Sequence, residues 1–391
     1  ILLLKIWCAA VYALFTFYYY MSAMDILKTI KSSFSETYSE ARSKFVNTAS
    51  KKGLKLAVYE NPNLGPLGEN LTCDVAWAGS NNAEKALIII SGTHGVEGFC
   101  GSGCQVDWLE CWNPSFISEK TAVFFIHAIN PHGFAWCRRV TEEGCDLNRN
   151  FLDFNQPLPD NIGHDELVSA FVPDSLDAKS MSQAEQLIKD YRETHGELAF
   201  QKARKSGQYK HAHSMFFGGF EPTWARKTLE RIITDFNIQN KKFIAAIDFH
   251  TGLGPFGYGE PISMHKPNTK SGEWVSKVYG DSVGIPEQGT SFSIPLNGTS
   301  RDLWDRVLGE NYAYVALEYG TYSQERSRAA LREDHWLHNQ GTVDWSCPET
   351  KRIKKALKKH YYPATPDWLE MVVYRSRQIL RQASYAINSE S

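Results

Sequence analysis

Four apolar runs punctuate the chain, at residues 85–90, 121–129, 242–249 and 312–317. They are short, nearly uniform in hydrophobicity and rich in β-branched and aromatic residues, so they predict buried strands rather than helices. Helical periodicity falls between and after them, at residues 101–112, 222–237 and 367–386. Residues 24–50 place Ile26, Ile30, Phe34, Tyr38, Ala41 and Phe45 along one side and predict a single amphipathic helix. Residues 54–78 read as strands and turns, with Asn61-Pro62-Asn63 and Gly65-Pro66 as breakers. Strands alternating with helices predict an α/β fold: three layers, α/β/α, around a mixed, mainly parallel sheet.

Residues 155–220 interrupt this rhythm. A proline-bearing loop leads to a polar helix at residues 182–201 and then to His211-Ala212-His213-Ser214-Met215-Phe216-Phe217-Gly218-Gly219. Histidines, aromatics and glycines packed into a short stretch suggest a lid or insertion that brings His213 or Phe216 to a substrate. A surface excursion packed on its own aromatics is the competing reading.

A chain of 391 residues suffices for one large domain or two ordinary ones. The absence of a linker favours one domain at residues 24–391, after an apolar extension at residues 1–23. Residues 1–20 could be a signal peptide, a membrane anchor or translated upstream sequence. The third reading is preferred, with a start at Met21 or Met24, because Met21 occupies the small-residue position a cleavage site needs. A net charge of -2 offers no basis for binding nucleic acid. The eight cysteines form no paired C-x-x-C motifs and read as reduced thiols of a cytoplasmic protein. Cys100 and Cys104 could share a helix face but have no evident soft partners for a metal. Asn70-Leu71-Thr72 and Asn297-Gly298-Thr299 fit the glycosylation pattern, which matters only in a secreted chain.

The chemistry gathers where the apolar runs end. The first opens into Ser91-Gly92-Thr93-His94-Gly95-Val96-Glu97-Gly98, and the third ends at Asp248-Phe249-His250-Thr251-Gly252. His94, Glu97 and His250 make up the ligand set of a catalytic zinc with one position left open for water. Glu318, at the end of the fourth run, is then the candidate general base. Between them lies Arg138-Arg139-Val140-Thr141-Glu142-Glu143-Gly144-Cys145-Asp146-Leu147-Asn148-Arg149-Asn150-Phe151. Asn148 and Arg149 could clamp a substrate carboxylate, because a guanidinium fork matches its two oxygens. Arg138 or Arg139 could stabilise an oxyanion. Asp146 could take the second ring N–H of His94.

These motifs, in this order between residues 85 and 320, resemble the zinc carboxypeptidase superfamily, which includes aspartoacylase-like deacylases. The likeness is to a bacterial-type branch carrying Gly92-Thr93-His94-Gly95-Val96-Glu97-Gly98 and Asp146-Leu147-Asn148-Arg149-Asn150-Phe151. It implies one zinc per chain on His94, Glu97 and His250, with Glu318 as base and Asn148 and Arg149 as carboxylate clamp. It also implies Arg139, or Arg138, as oxyanion partner. The expected reaction is hydrolysis of an amide next to a free carboxylate, in a small peptide or in an N-acyl amino acid. A binding protein on the same scaffold is the non-enzymatic alternative. The family's mobile tyrosine has no counterpart in residues 291–299, which puts peptidase activity in question.

Overall fold

The computed structural model describes residues 28–389; the expectations about residues 1–23 lie outside the described residues. Seven strands form one mixed sheet: β1 (Lys55–Leu64), β2 (Asn70–Ala78), β3 (Lys85–Ile90), β4 (Thr121–His127), β5 (Phe243–Phe256), β6 (Gly259–Ile262) and β7 (Tyr312–Gly320). Their spatial order is β1-β2-β4-β3-β5-β7-β6. The four apolar runs form the parallel centre, β4-β3-β5-β7, while β1, β2 and β6 pair antiparallel at the two flanks.

The centre is apolar on both faces because both are covered. Leu87, Ile89, Val123, Phe125, Ala245 and Ile247 point into one core. Their chain neighbours Ala86, Ile88, Ala122, Phe124, Ile244 and Ala246 point into a second. The alternation follows from the two-residue period of a strand. Helices α1 (Tyr38–Lys51), α2 (Gly98–Glu110) and the C-terminal Pro366–Ser389 supply the first core, through Phe45, Leu109 and Leu380. Helices Trp224–Asp235 and Ser300–Leu308 supply the second, through Leu229, Ile232 and Trp304. The result is the expected three-layer α/β/α arrangement. Among the described residues, no helix is long and apolar enough to cross a membrane.

Three local expectations are corrected. The single helix expected at residues 24–50 is broken: residues 28–33 are helical, residues 34–37 are not, and a new helix begins at Tyr38, capped by the Thr37 side chain. Asn61 and Pro62 lie inside β1 instead of ending it. This strand is at the sheet edge, where a proline without an N–H removes no essential ladder bond. The helix expected at residues 182–201 is two helices, Ala178–His195 and Glu197–Lys205, divided at Gly196 with φ of +82°.

Strand order also places the site. β3 and β5 are neighbours, and the chain runs from β3 to one side, to β4, and from β5 to the other, to β6 and β7. Such a reversal opens a crevice at the carboxyl ends of the strands, where ligands of open α/β sheets bind.

Candidate metal centre

The turn after β3 is shaped by close backbone approach. Gly92 has φ of +70°, and a Cβ there would lie 2.7 Å from the Ala128 methyl carbon. A Cβ on Gly95 would lie 2.0 Å from the Gly133 carbonyl carbon. Gly95 and Val96 donate their N–H groups to the Arg139 and Arg138 carbonyls at 3.1 and 2.7 Å. The turn is thereby clamped with His94 at its entrance and Glu97 at the start of α2.

His250 comes from the other side of the crevice, on β5. Its Nδ1 stands 3.2 Å from His94 Nδ1 and 3.1 Å from Glu97 Oε2. His94 Nδ1 in turn is 3.0 Å from Glu97 Oε1. One donor atom from each residue lies within 4.8 Å of the others, and all three residues are buried. Two imidazoles and a carboxylate gathered this closely could hold a metal ion.

Each histidine is backed by a carboxylate. His94 Nε2 lies 3.1 Å from Asp146 Oδ1. His250 Nε2 lies 3.1 Å from Asp248 Oδ2, an ion-pair distance without good hydrogen-bond alignment. Asp248 is fixed by Thr93 Oγ1 and the Tyr314 hydroxyl, which donate at 2.8 and 3.0 Å. Burial alone would lower the His250 pKa, but Asp248 and Glu97 raise it well above the usual histidine range. Burial opposes ionisation of Glu97, yet His94, His250 and Arg139 hold its carboxyl below the usual range.

Of the two candidate arginines, Arg139 lines the cavity beside His94. Its Nε and Nη1 contact Asp146 Oδ2 at 3.0 Å and Glu97 Oε1 at 2.8 Å. Arg138 is corrected: its Nε pairs with Asp334 at 3.0 Å, in a buried group completed by Lys354 at 2.6 Å. Both backbone carbonyls are pinned to the glycine turn, so the two consecutive side chains leave in different directions.

Asn148 and Arg149 also line the cavity, on the short turn Leu147–Arg149, capped by the Asp146 side chain. Asn148 Oδ1 accepts the Ser300 N–H at 2.8 Å. The Arg149 fork is engaged internally: Nε and Nη2 donate to the Lys205 carbonyl at 2.9 and 2.7 Å. Glu318, on β7, faces the same cavity and accepts the Leu253 N–H at 3.1 Å. Burial, then the Glu97 charge, raises its carboxyl to about 8 against the opposing pull of His250 and Arg139.

The segment at residues 155–220 contributes Phe216 to the wall. Three guanidinium carbons, from Arg139, Arg149 and Arg204, lie 5.4, 5.7 and 6.0 Å from its ring centre. His213 is not part of that wall; its carbonyl accepts from Asn339 at 3.0 Å on an exposed surface. Glu142 and Glu143 are bound to Asn61 and to the Trp224 N–H, away from the cavity. Residues 291–299 line it with Ser293, Ile294, Leu296 and Thr299, while its tyrosines are Tyr314 and Tyr361, from other elements.

Asp248, Arg204 and Lys205 were not anticipated. Asp248 carried a signal, since it stands two residues before His250 and so on the same face of one strand. Arg204 and Lys205 carried none, because a helix end rich in cations reads as a solvated surface.

Three solved structures illustrate what the chain is similar to. Thrombin activatable fibrinolysis inhibitor is 12% identical with a TM-score of 0.48, the match covering 94% of this chain and 81% of that one. Carboxypeptidase A from Helicoverpa armigera is 12% identical with a TM-score of 0.41, covering 88% and 73%. An aspartoacylase family protein from Mesorhizobium loti is 13% identical with a TM-score of 0.35, covering 68% and 62%. The search of curated proteins finds no match. The model of a family described as protein of unknown function (DUF2817) matches residues 34–375, and the chain belongs to that family.

Proposed function

We propose that the protein is a zinc-dependent hydrolase of an amide bond next to a free carboxylate, carboxypeptidase-like in its chemistry. The observation that carries this reading is the convergence of His94 Nδ1, His250 Nδ1 and the Glu97 carboxylate, with Glu318 open to the same cavity. Two imidazoles and one carboxylate suit zinc and leave a coordination position unfilled by protein. Zinc held there would acidify a bound water and polarise the substrate carbonyl.

The chain's own residues account for the remaining roles. Glu318 takes the proton of the attacking water and passes it to the leaving nitrogen. Arg139 is kept cationic by Asp146 and Glu97 and faces the cavity, where it offsets charge developing on the carbonyl oxygen. Asn148 and Arg149 hold the substrate carboxylate, which requires Arg149 to exchange its bond to the Lys205 carbonyl for the ligand. Asp146 and Asp248 fix the ring orientations of His94 and His250.

Small peptides and N-acyl amino acids both carry the required amide and carboxylate. The lack of a tyrosine in the 291–299 wall supports N-acyl amino acid deacylation as the second reading. The deciding experiment pairs metal analysis of the purified protein with a screen of dipeptides and N-acyl amino acids. Stoichiometric zinc with hydrolysis of one class is the expected result. Full-length protein that takes up no zinc and cleaves neither class would leave a binding protein as the better description.

A further inference from the structure

The cavity beside the metal ligands is unevenly charged. Five cationic side chains line it, from Arg139, Arg149, Arg204, Lys205 and Arg301. Glu318 is the one carboxylate in that lining among the described residues. Two of the cations are neutralised nearby: Arg139 by Glu97 and Asp146, and Arg301 by Asp302 and Asp305 at 2.8 and 3.0 Å.

Arg204 and Lys205 have no such partner. Arg204 is 2% exposed, yet no carboxylate lies within ion-pair distance of it among the described residues. Its Nη2 reaches Ser327 Oγ at 3.3 Å, and its buried Nε has no partner. The carboxylate that acts on it from further away, Glu325, is exposed and sits 3.8 Å from Arg192. A buried guanidinium with unused donors is costly unless an anion completes it. Lys205 is the next residue, at the end of the helix Glu197–Lys205, and its side chain shares the cavity wall. Its amine is lowered to about 7, by burial first and by Arg204 next, against the pull of the Glu318 carboxylate in the same wall, which is not within ion-pair distance.

The local architecture aims this pair at the site. Gly207, with φ of +94°, turns the chain sharply after the helix, and a Cβ there would meet Arg149 Cδ at 2.8 Å. The Lys205 carbonyl, one of the acceptors that a helix end leaves free, is then taken by the Arg149 fork. Ser327 holds Arg204 from below and also bonds the Tyr361 hydroxyl at 3.2 Å.

We propose that Arg204 and Lys205 form a second anion subsite in this cavity. It takes a carboxylate of the substrate in addition to the one held at Asn148 and Arg149. The hydrolase reading above supplies the word substrate here, and the subsite narrows its class to acidic peptides or N-acyl amino acids with two carboxylates. Arg204 and Lys205 thereby determine specificity, and the segment at residues 155–220 exists in part to deliver them.

The test is calorimetric binding to the zinc-loaded protein of succinate, glutarate and adipate, each against its own mono-amide. None of these needs to be hydrolysed for its affinity to be read. At least one dicarboxylate should bind about tenfold or more tighter than its mono-amide, since a desolvated charge-assisted pair replaces a neutral one. Arg204→Gln and Lys205→Gln should each collapse that ratio toward one, whereas Arg149→Gln should weaken both members of the pair. If Arg204→Gln does not fold, Lys205→Gln and the wild-type ratio decide. Equal binding of every dicarboxylate and its mono-amide, or a ratio that survives both variants, would overturn the subsite. Hydrolysis of neutral substrates without dicarboxylate preference removes the subsite and leaves the hydrolase reading; preference without hydrolysis does the reverse.

Discussion

His250 and Glu318 are register partners on the adjacent parallel strands β5 and β7. Their side chains therefore leave the same face of the sheet, one strand spacing apart. A candidate metal ligand and a carboxylate fixed this way cannot drift relative to each other without breaking the sheet. The third element, the glycine turn after β3, is pinned from outside by residues 138–139. The site is thus built on rigid backbone, and each of its parts can be removed separately.

The metal comes first. Wild-type protein should carry about one zinc per chain, and His94→Ala or His250→Ala should reduce this to a small fraction, read by elemental analysis. Asp248→Asn keeps the shape but weakens the support behind His250, so zinc affinity should fall by about 10–100-fold in competition with a chelator. Undiminished zinc in a His94→Ala/His250→Ala double variant would remove these ligands from consideration.

Glu318→Gln separates base from ligand. The amide cannot accept the proton, so kcat should drop by about 10²–10⁴-fold while zinc content stays near the wild-type value. Loss of zinc would make Glu318 a ligand, and near-native kcat would place the base elsewhere.

Arg149→Lys tests the carboxylate clamp. Charge is retained but the planar fork is lost, so kcat/KM should fall for free-acid substrates. C-terminally amidated analogues should be poor substrates of the wild type. Equal turnover of amidated and free-acid forms would exclude a carboxylate clamp.

Gly95→Ala is expected to be damaging despite its small size. The new methyl would enter the Gly133–Phe134 backbone, with contacts of 2.0 and 2.3 Å to main-chain atoms that have no rotamer to change. Overpacking of this kind costs about 1–3 kcal/mol and should shift His94 and Glu97 together. The melting temperature and zinc content should both fall; a fully stable, zinc-replete variant would contradict the fit described.

Glu142 should give the folded state a pH dependence. Burial, reinforced by Glu143, raises its carboxyl from 4.5 to about 7. Below the lower value both folded and unfolded chains hold the proton. Between the two the unfolded chain releases it and the folded chain keeps it, so stability falls as pH rises through that window. The effect is on the order of 1–3 kcal/mol. Glu142→Gln, which cannot ionise, should lose this slope. Melting curves at several pH values would show the wild type falling relative to the variant as pH increases; parallel curves would refute the assignment.

The sequence alone determined the parallel centre of the sheet. Strands covered on both faces must be apolar at every position, so residues 85–90, 121–127 and 312–317 announce themselves without reference to their neighbours. It also made His94, Glu97, His250 and Glu318 candidates, because polar residues at the ends of such strands fall at one end of the sheet, and the Arg138–Phe151 stretch added Asn148 and Arg149. Tertiary structure decided what local pattern leaves open. Arg138 and Arg139 are indistinguishable in a motif, and the backbone clamp on the glycine turn sends Arg139 to the cavity and Arg138 to Asp334. Pro62 reads as a breaker until the strand is known to be an edge. Arg204 and Lys205 read as the solvated end of a polar helix; only the packing of that helix against Arg149 and Ser327 buries their charges. Burial is a relation between segments distant in the chain, and no local periodicity encodes which cation loses its water.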